Sequence, residues 1–179
     1  MAVLIAQGVR RAVLLGILAS GICQAQIFNE YQVKAAFLYT FAKFVEWPPK
    51  AFSSPSAEIA ICVLGDYPFG SFLDDAIKGK SVDGRPLTVY RLTDFPAGHE
   101  CKILFIAISE HHRMPALLAS AATSGVLTVG DSAEFATEGG VIGLQLEGQR
   151  IRLSVNLAAA ERAKVRISSR VLSLATIIK

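Results

Sequence analysis

The 179-residue chain holds three cysteines, two methionines and one tryptophan, and charged side chains make up only 18% of it. Neither GxSxG nor HExxH occurs, so the sequence offers no nucleophile elbow and no two-histidine zinc helix. One loop is placed like a phosphate cradle, Gly65-Asp66-Tyr67-Pro68-Phe69-Gly70. It lacks GxGxxG spacing and the Lys and Ser/Thr of a P-loop, and the Asp66 charge would repel a phosphate. A phospho-receiver reading fails as well, because Ser109 stands where an acceptor Asp would follow the third strand. The apolar run from Ala12 to Ile22 falls short of the about 20 residues that cross a bilayer. With hydrophobic residues at 52%, the chain is no disordered tail.

What is present begins with an export signal. Arg10 and Arg11 precede a short apolar run that ends in Cys23-Gln24-Ala25, the pattern of a secretory signal peptide over residues 1–25. Cys23 is no lipid-attachment site by this reading, since Ile22 is bulky where a small residue is needed. Without the leader, 16 Lys+Arg face 15 Asp+Glu, a net charge of +1 in place of +3. That balance argues against a nucleic-acid partner, which would want a clustered basic face. Cys62 and Cys101 remain, and an oxidising compartment makes a disulfide the natural expectation. Two unpaired buried thiols are the alternative.

Residues 26–179 read as a single domain of alternating elements. The spacing of Val33, Phe37, Phe41 and Phe44 predicts a helix over 29–47, opened by Asn29 and stopped by Pro48-Pro49. Leu38, Val45 and Trp47 widen its apolar stripe, so the helix is either deeply packed or offers a face to a partner. Strands follow at Glu58–Leu64, Leu87–Leu92, Ile103–Ile108 and Val126–Val129. Helices are expected near Phe69–Ile77, at Met114–Ala122 and at Ser132–Ala136. The ending differs: Val141–Leu146 and Ile151–Val155 form a hairpin, then Asn156 caps Leu157–Ala163 and Ser168 caps Ser169–Ile177. The fold class is α/β, a mostly parallel open sheet with helices on both faces and an antiparallel C-terminal hairpin as its edge. In a 2-1-3 strand order the two cysteine-bearing strands would be neighbours.

Gly-Asp recurs after two strands, at Gly65-Asp66 and Gly130-Asp131, where each Asp is expected to cap the next helix. Glu110-His111-His112 has no third or fourth ligand spaced to join it, so no metal and no cofactor are expected. His99 near Cys101 would make a thiol enzyme only if that thiol were free. Arg150, Arg152, Arg162, Lys164, Arg166 and Arg170 gather near the C-terminus. They form either a solvated mixed-charge face or a patch for an acidic protein surface or a small anion. Phe37, Phe41, Phe44, Trp47 and Arg170 are the candidate contacts for a partner or a second copy.

Separated motifs in order resemble one family. They are Tyr31-Gln32-Val33-Lys34-Ala35-Ala36-Phe37-Leu38-Tyr39 through Phe44-Val45-Glu46-Trp47-Pro48, Ile61-Cys62-Val63-Leu64-Gly65-Asp66, and Gly79-Lys80-Ser81-Val82-Asp83-Gly84-Arg85-Pro86. Cys101-Lys102-Ile103-Leu104-Phe105-Ile106, Gly139-Gly140-Val141-Ile142-Gly143, Asn156-Leu157-Ala158-Ala159-Ala160 and Ile167-Ser168-Ser169-Arg170-Val171-Leu172 continue the match. Together they resemble the YfiR-like periplasmic regulators. The resemblance implies a non-catalytic repressor that binds the periplasmic region of a membrane-bound diguanylate cyclase and lowers cyclic di-GMP and biofilm formation. It also implies an outer-membrane lipoprotein partner, a homodimer, and a Cys62–Cys101 bridge. A second bridge known in some members has no cysteines left here. A periplasmic small-ligand-binding module, with a pocket lined by the Gly65–Gly70 and Gly130–Ser132 turns, is the competing expectation.

Overall fold

The computed structural model describes residues 29–95 and 100–178; the expected leader, Cys23 and His99 lie outside them. The opening helix α1 (Glu30–Phe44) forms because Asn29 accepts a hydrogen bond from the Gln32 N–H at 3.1 Å. Glu30 in its first turn and Lys43 in its last complement the helix dipole. The helix stops at Phe44 and not at Trp47. Val45–Glu46 becomes a strand, β1, because it finds an antiparallel partner in Arg166–Ile167, and the Ser168 N–H closes onto the Phe44 carbonyl at 3.0 Å. Tertiary pairing wins over helix continuation at a β-branched residue.

Strands β2 (Ile59–Leu64), β3 (Ser81–Val82), β4 (Arg85–Leu92), β5 (Cys101–Ile106) and β6 (Leu127–Gly130) follow, then β7 (Ile142–Glu147), β8 (Arg150–Asn156), β9 (Arg166–Ile167) and β10 (Ala175–Ile178). The helices after α1 are α2 (Phe72–Ile77), α3 (Met114–Ala121), α4 (Leu157–Arg162) and α5 (Ser169–Leu172). Eight strands make one open sheet in the order β10-β8-β7-β6-β5-β2-β4-β3. Pairing is parallel from β4 through β2, β5 and β6 to β7, and again between β8 and β10. The β3–β4 and β7–β8 pairs are antiparallel. The expected α/β class and the 2-1-3 neighbourhood of β4, β2 and β5 are both observed.

Alternation along β2 divides the core. Ile59, Ile61 and Val63 face a layer built by α1, α2, α4 and α5, while Ala60, Cys62 and Leu64 face α3. Cys62 and Cys101 are bridged on the α3 side, with their Cα atoms 5.8 Å apart and the side chains 0% and 3% exposed. The bridge runs diagonally, since Cys101 pairs with Ala60 and Cys62 with Leu104 across an irregularity in the register.

Several expected elements change. The C-terminal hairpin is not the sheet edge: β10 covers β8, with Ala175 opposite Leu153 and Ile178 opposite Asn156. The expected helix Ser169–Ile177 therefore ends at Leu172, and the β-branched run Thr176-Ile177-Ile178 takes strand geometry where an open edge awaits it. Ser168 sits at the α5 N-cap without a capping bond, its hydroxyl buried and unpartnered. Ser132–Ala136 forms turns in place of a helix, because Phe135 folds inward between two glycines: a Cβ at Gly130 or Gly140 would lie 2.1 Å from its ring. The regular part of α2 begins at Phe72, leaving Phe69 to stack edge-on against Phe105 at 4.9 Å. The segment after β5 is a 3₁₀ turn over Ile108–Arg113. The β3–β4 hairpin turns at Asp83 and Gly84, both at positive φ, the Asp-Gly pair that favours a two-residue hairpin turn.

Candidate functional site

Four of the five candidate contact residues come together. Phe37, Phe41 and Phe44 stand on one flank of α1 and meet Arg170 and Val171 of α5, Leu153 of β8 and the exposed Leu174 around a groove of about 140 Å³. Phe41 is buried in the core layer, and Phe37 stacks on it with ring centroids 5.9 Å apart. The helix thus does both things its wide stripe allowed: Ala35, Leu38, Phe41 and Ala42 are buried, while Phe37 and Phe44 remain partly open. Leu174, 67% exposed, belongs to the apolar C-terminal stretch Val171–Ile178, whose composition suits either the core or a partner interface and which turns to strand only at Ala175.

The basic residues of the C-terminus divide in the structure. Arg152 pairs with Glu147 at 2.8 Å and Arg166 with Glu46 at 3.8 Å. Arg170 stands over the Phe44 ring, its guanidinium 5.3 Å from the centroid, and Lys43 lies 5.5 Å from the same ring. Lys43 also reaches Tyr39, as does Lys80 at 5.1 Å.

Trp47 lies elsewhere, in a cleft of about 430 Å³ lined by Lys43, Val45, Phe52, Val82 and Arg85. Its indole N–H is buried without a hydrogen-bond partner. Arg85 stacks on Phe52 at 3.7 Å and donates to the carbonyls of Ser54 and Ala57. Lys102 also faces Phe52, at 5.1 Å. Burial, reinforced by the nearby Arg85 charge and partly opposed by Glu100, pulls the Lys102 ammonium below its ordinary value.

The strand C-terminal ends, where open α/β sheets bind ligands, are occupied by the chain itself. A Cβ on Gly65 would lie 2.6 Å from Ser109 Oγ and 2.7 Å from Glu110. Ser109 Oγ accepts from the Asp66 N–H at 3.0 Å, and Glu110 accepts from Arg113, which also donates to the Thr93 carbonyl. Asp66 is exposed and lies well before α2, whose N-cap position is Ser71. On the other turn, Phe135 fills the space over Gly130. The Gly65–Gly70 and Gly130–Ser132 turns are therefore covered at Gly65 and Gly130, where the ligand-module alternative had expected an open pocket.

Asp131 is not a helix cap either. Its carboxylate, 4% exposed, accepts from the Tyr31 hydroxyl at 3.0 Å and lies 3.6 Å from Lys34 Nζ, which also pairs with Glu30. Burial, then the Asp131 charge and hydrogen bond, hold the Tyr31 phenol above its ordinary value. The Cys101 sulfur that a thiol enzyme would need is consumed by the bridge. Among the described residues no group of three His, Cys, Asp or Glu side chains could hold a metal ion, and no helix is long and apolar enough to cross a membrane.

An open, mostly parallel sheet with a helical layer on each face defines an α/β protein, and its candidate contact residues line an apolar groove and a mixed cleft. The chain belongs to the YfiR/HmsC-like family, DUF4154, whose profile matches residues 31–176. All four groove candidates fall inside that span. No curated protein matches the chain. Among solved structures it is similar to a conserved domain protein from Vibrio cholerae O1 biovar El Tor strain N16961. The TM-score is 0.53 at 13% identity, covering 67% of this chain and 54% of that one. A second likeness is to the ABC domain in complex with L-Trp from Streptococcus pneumoniae, with TM-score 0.48 and 12% identity over 73% of this chain and 57% of that one. The chain thus spans little more than half the length of these solved chains, and the first likeness concerns the fold alone.

Proposed function

We propose that this chain is a periplasmic regulator that represses a membrane-bound diguanylate cyclase by binding its periplasmic sensing region, so that cyclic di-GMP and biofilm formation fall. Membership of the YfiR/HmsC-like family across residues 31–176 carries this reading. The signal-peptide pattern of residues 1–25 supports export, with residues 26–179 as a single domain. A repressor of this kind needs no catalysis. It binds the inactive cyclase more tightly than the active one, and only that difference moves the equilibrium. A hundredfold preference is worth about 2.7 kcal/mol. The groove of Phe37, Phe41, Phe44 and Arg170 is the proposed contact surface, an outer-membrane lipoprotein a competitor for the same protein, and a homodimer its resting form.

Intracellular cyclic di-GMP measured in the native host with and without the gene tests the reading. The expected result is a rise on deletion, reversed by the exported protein and not by a leaderless copy. An unchanged level would refute it.

One observation favours a second reading, a small-ligand-binding module coupled to another membrane sensor. The buried Trp47 N–H has no partner beside a cleft whose lining sets Lys43 and Arg85 against Glu46 and Asp83, a free donor among mixed charges that suits a small polar molecule. Thermal-shift screening of small polar compounds on wild type and Trp47→Phe decides it. Stabilisation lost in the variant is the expected outcome under this reading.

A further inference from the structure

We propose that the groove between α1 and α5 receives one bulky apolar side chain from an acidic segment of a protein partner, with Arg170 in the lining and Lys43 on the shared Phe44 ring meeting the carboxylates beside it. The inference rests on the reading that this protein acts by binding another protein, and it specifies the chemistry of what is bound.

Size sets the first limit. The groove holds about 140 Å³ between the aromatic rings of α1 and the aliphatic Leu153, Val171 and Leu174. Cavities of about 150 Å³ with such walls accommodate one benzene-sized group. That is room for a single Leu, Ile or Phe. Thr40 is the one uncharged polar residue in the lining, and its hydroxyl already donates to the Ala36 carbonyl.

Charge sets the second. Arg170 is the one charged residue lining the groove, and Lys43 shares the Phe44 ring with it. Among the described residues neither cation takes part in an ion pair, whereas Arg152 and Arg166 nearby are matched to Glu147 and Glu46. No acidic side chain lines the groove. Two unmatched cations beside an apolar slot complement a segment in which carboxylates flank an apolar anchor. A second copy of this chain fits less well, because a two-fold contact brings a surface patch against itself and would oppose these cations to one another.

The mature exported protein is titrated with three fluorescent nonapeptides. One carries a single Phe among Glu residues, one the same Phe among Lys residues, and one the Glu frame with Ala in place of Phe. Only the first is expected to bind, more weakly as salt rises. Arg170→Glu should lower its affinity roughly five-fold or more at an unchanged melting temperature, while Arg170→Lys retains it. Equal binding of the Lys peptide, no binding of the Glu–Phe peptide, or indifference to Arg170→Glu overturns the proposal. Phosphatidylglycerol vesicles that displace the bound peptide and bind in an Arg170-dependent way would assign the groove to a membrane surface, and a dimer that Phe44→Glu dissociates would assign it to a second copy; either overturns it too. In the host, Arg170→Glu should be exported normally and fail to lower cyclic di-GMP. If wild type itself leaves cyclic di-GMP unchanged while the peptide results hold, the cyclase reading falls and the groove chemistry stands.

Discussion

Lys34 is a fully buried cation, 1% exposed, and it is held between Glu30 and Asp131 with Tyr31 closing the cluster. Removing one member of a buried pair strands the other charge, which costs about 3–5 kcal/mol, whereas removing both is far milder. Lys34→Met should therefore lower unfolding stability in urea by about 3–5 kcal/mol, and adding Asp131→Asn should recover much of the loss. Tyr31 supplies a pH signature. Its folded phenol keeps its proton above pH 10 while the unfolded phenol releases it, so stability present below pH 10 is lost as pH rises past it. Tyr67 is pushed up to about 12 by burial and by its bond to Asp74, and contributes the same slope in any Tyr31 variant. Tyr31→Phe should flatten part of the decline between pH 10 and 11, read by urea unfolding at each pH. Phe135 offers a purely steric case. Gly130→Ala places a methyl 2.1 Å from the ring and should cost about 1–3 kcal/mol as overpacking, relieved in part by Phe135→Leu.

Asn156 ends β8 and starts α4, and it makes two bonds: its Oδ1 accepts from the Ala159 N–H and its Nδ2 donates to the Ala136 carbonyl, both at 2.8 Å. Asn156→Asp keeps the cap and loses the donor, while Asn156→Ala loses both. The expected costs are about 1 kcal/mol and about 2 kcal/mol in chemical denaturation, with the larger effect tying α4 to the turn around Phe135. This cap was readable because Asn before an apolar run has one local meaning. The buried strands β2 and β5 were readable too, as unbroken apolar runs between turns. Their adjacency followed only on a 2-1-3 order, one of the few topologies that βα alternation leaves. Elements decided by distant neighbours were not. Val45–Glu46 is helical in its local pattern and a strand only because Arg166–Ile167 lies beside it. Ala175–Ile178 is a strand because β8 offers an edge. The groove was legible in half: periodicity placed Phe37, Phe41 and Phe44 on one flank and Arg170 near the chain end, but nothing local shows that α5 crosses that flank. Trp47 shared their stripe only while the helix was drawn through residue 47, and the strand at Val45 carries it to another cleft.

The sheet separates the molecule into two layers with different tasks. The Cys62–Cys101 bridge belongs to the α3 side, the groove to the α1 side, and the central strands stand between them. With a separation of 39 residues, the bridge restricts the unfolded chain by about 4 kcal/mol in the chain-entropy account. Both sulfurs are out of solvent reach, so a reductant acts only when the sheet opens. Reduction by dithiothreitol should consequently be slow in native buffer and accelerate steeply with sub-denaturing urea, followed by mass after thiol labelling. Cys62→Ala/Cys101→Ala should unfold at a lower urea midpoint by the same free energy. Below its own transition that variant should bind the Glu–Phe peptide as wild type does, because α1 and α5 pack on the opposite face of the sheet from the bridge. A several-fold loss of peptide affinity in a variant that is still folded would mean that the two layers are coupled through β2 and β5. The bridge would then control docking as well as stability, and the redox state of the compartment would set the affinity for the partner.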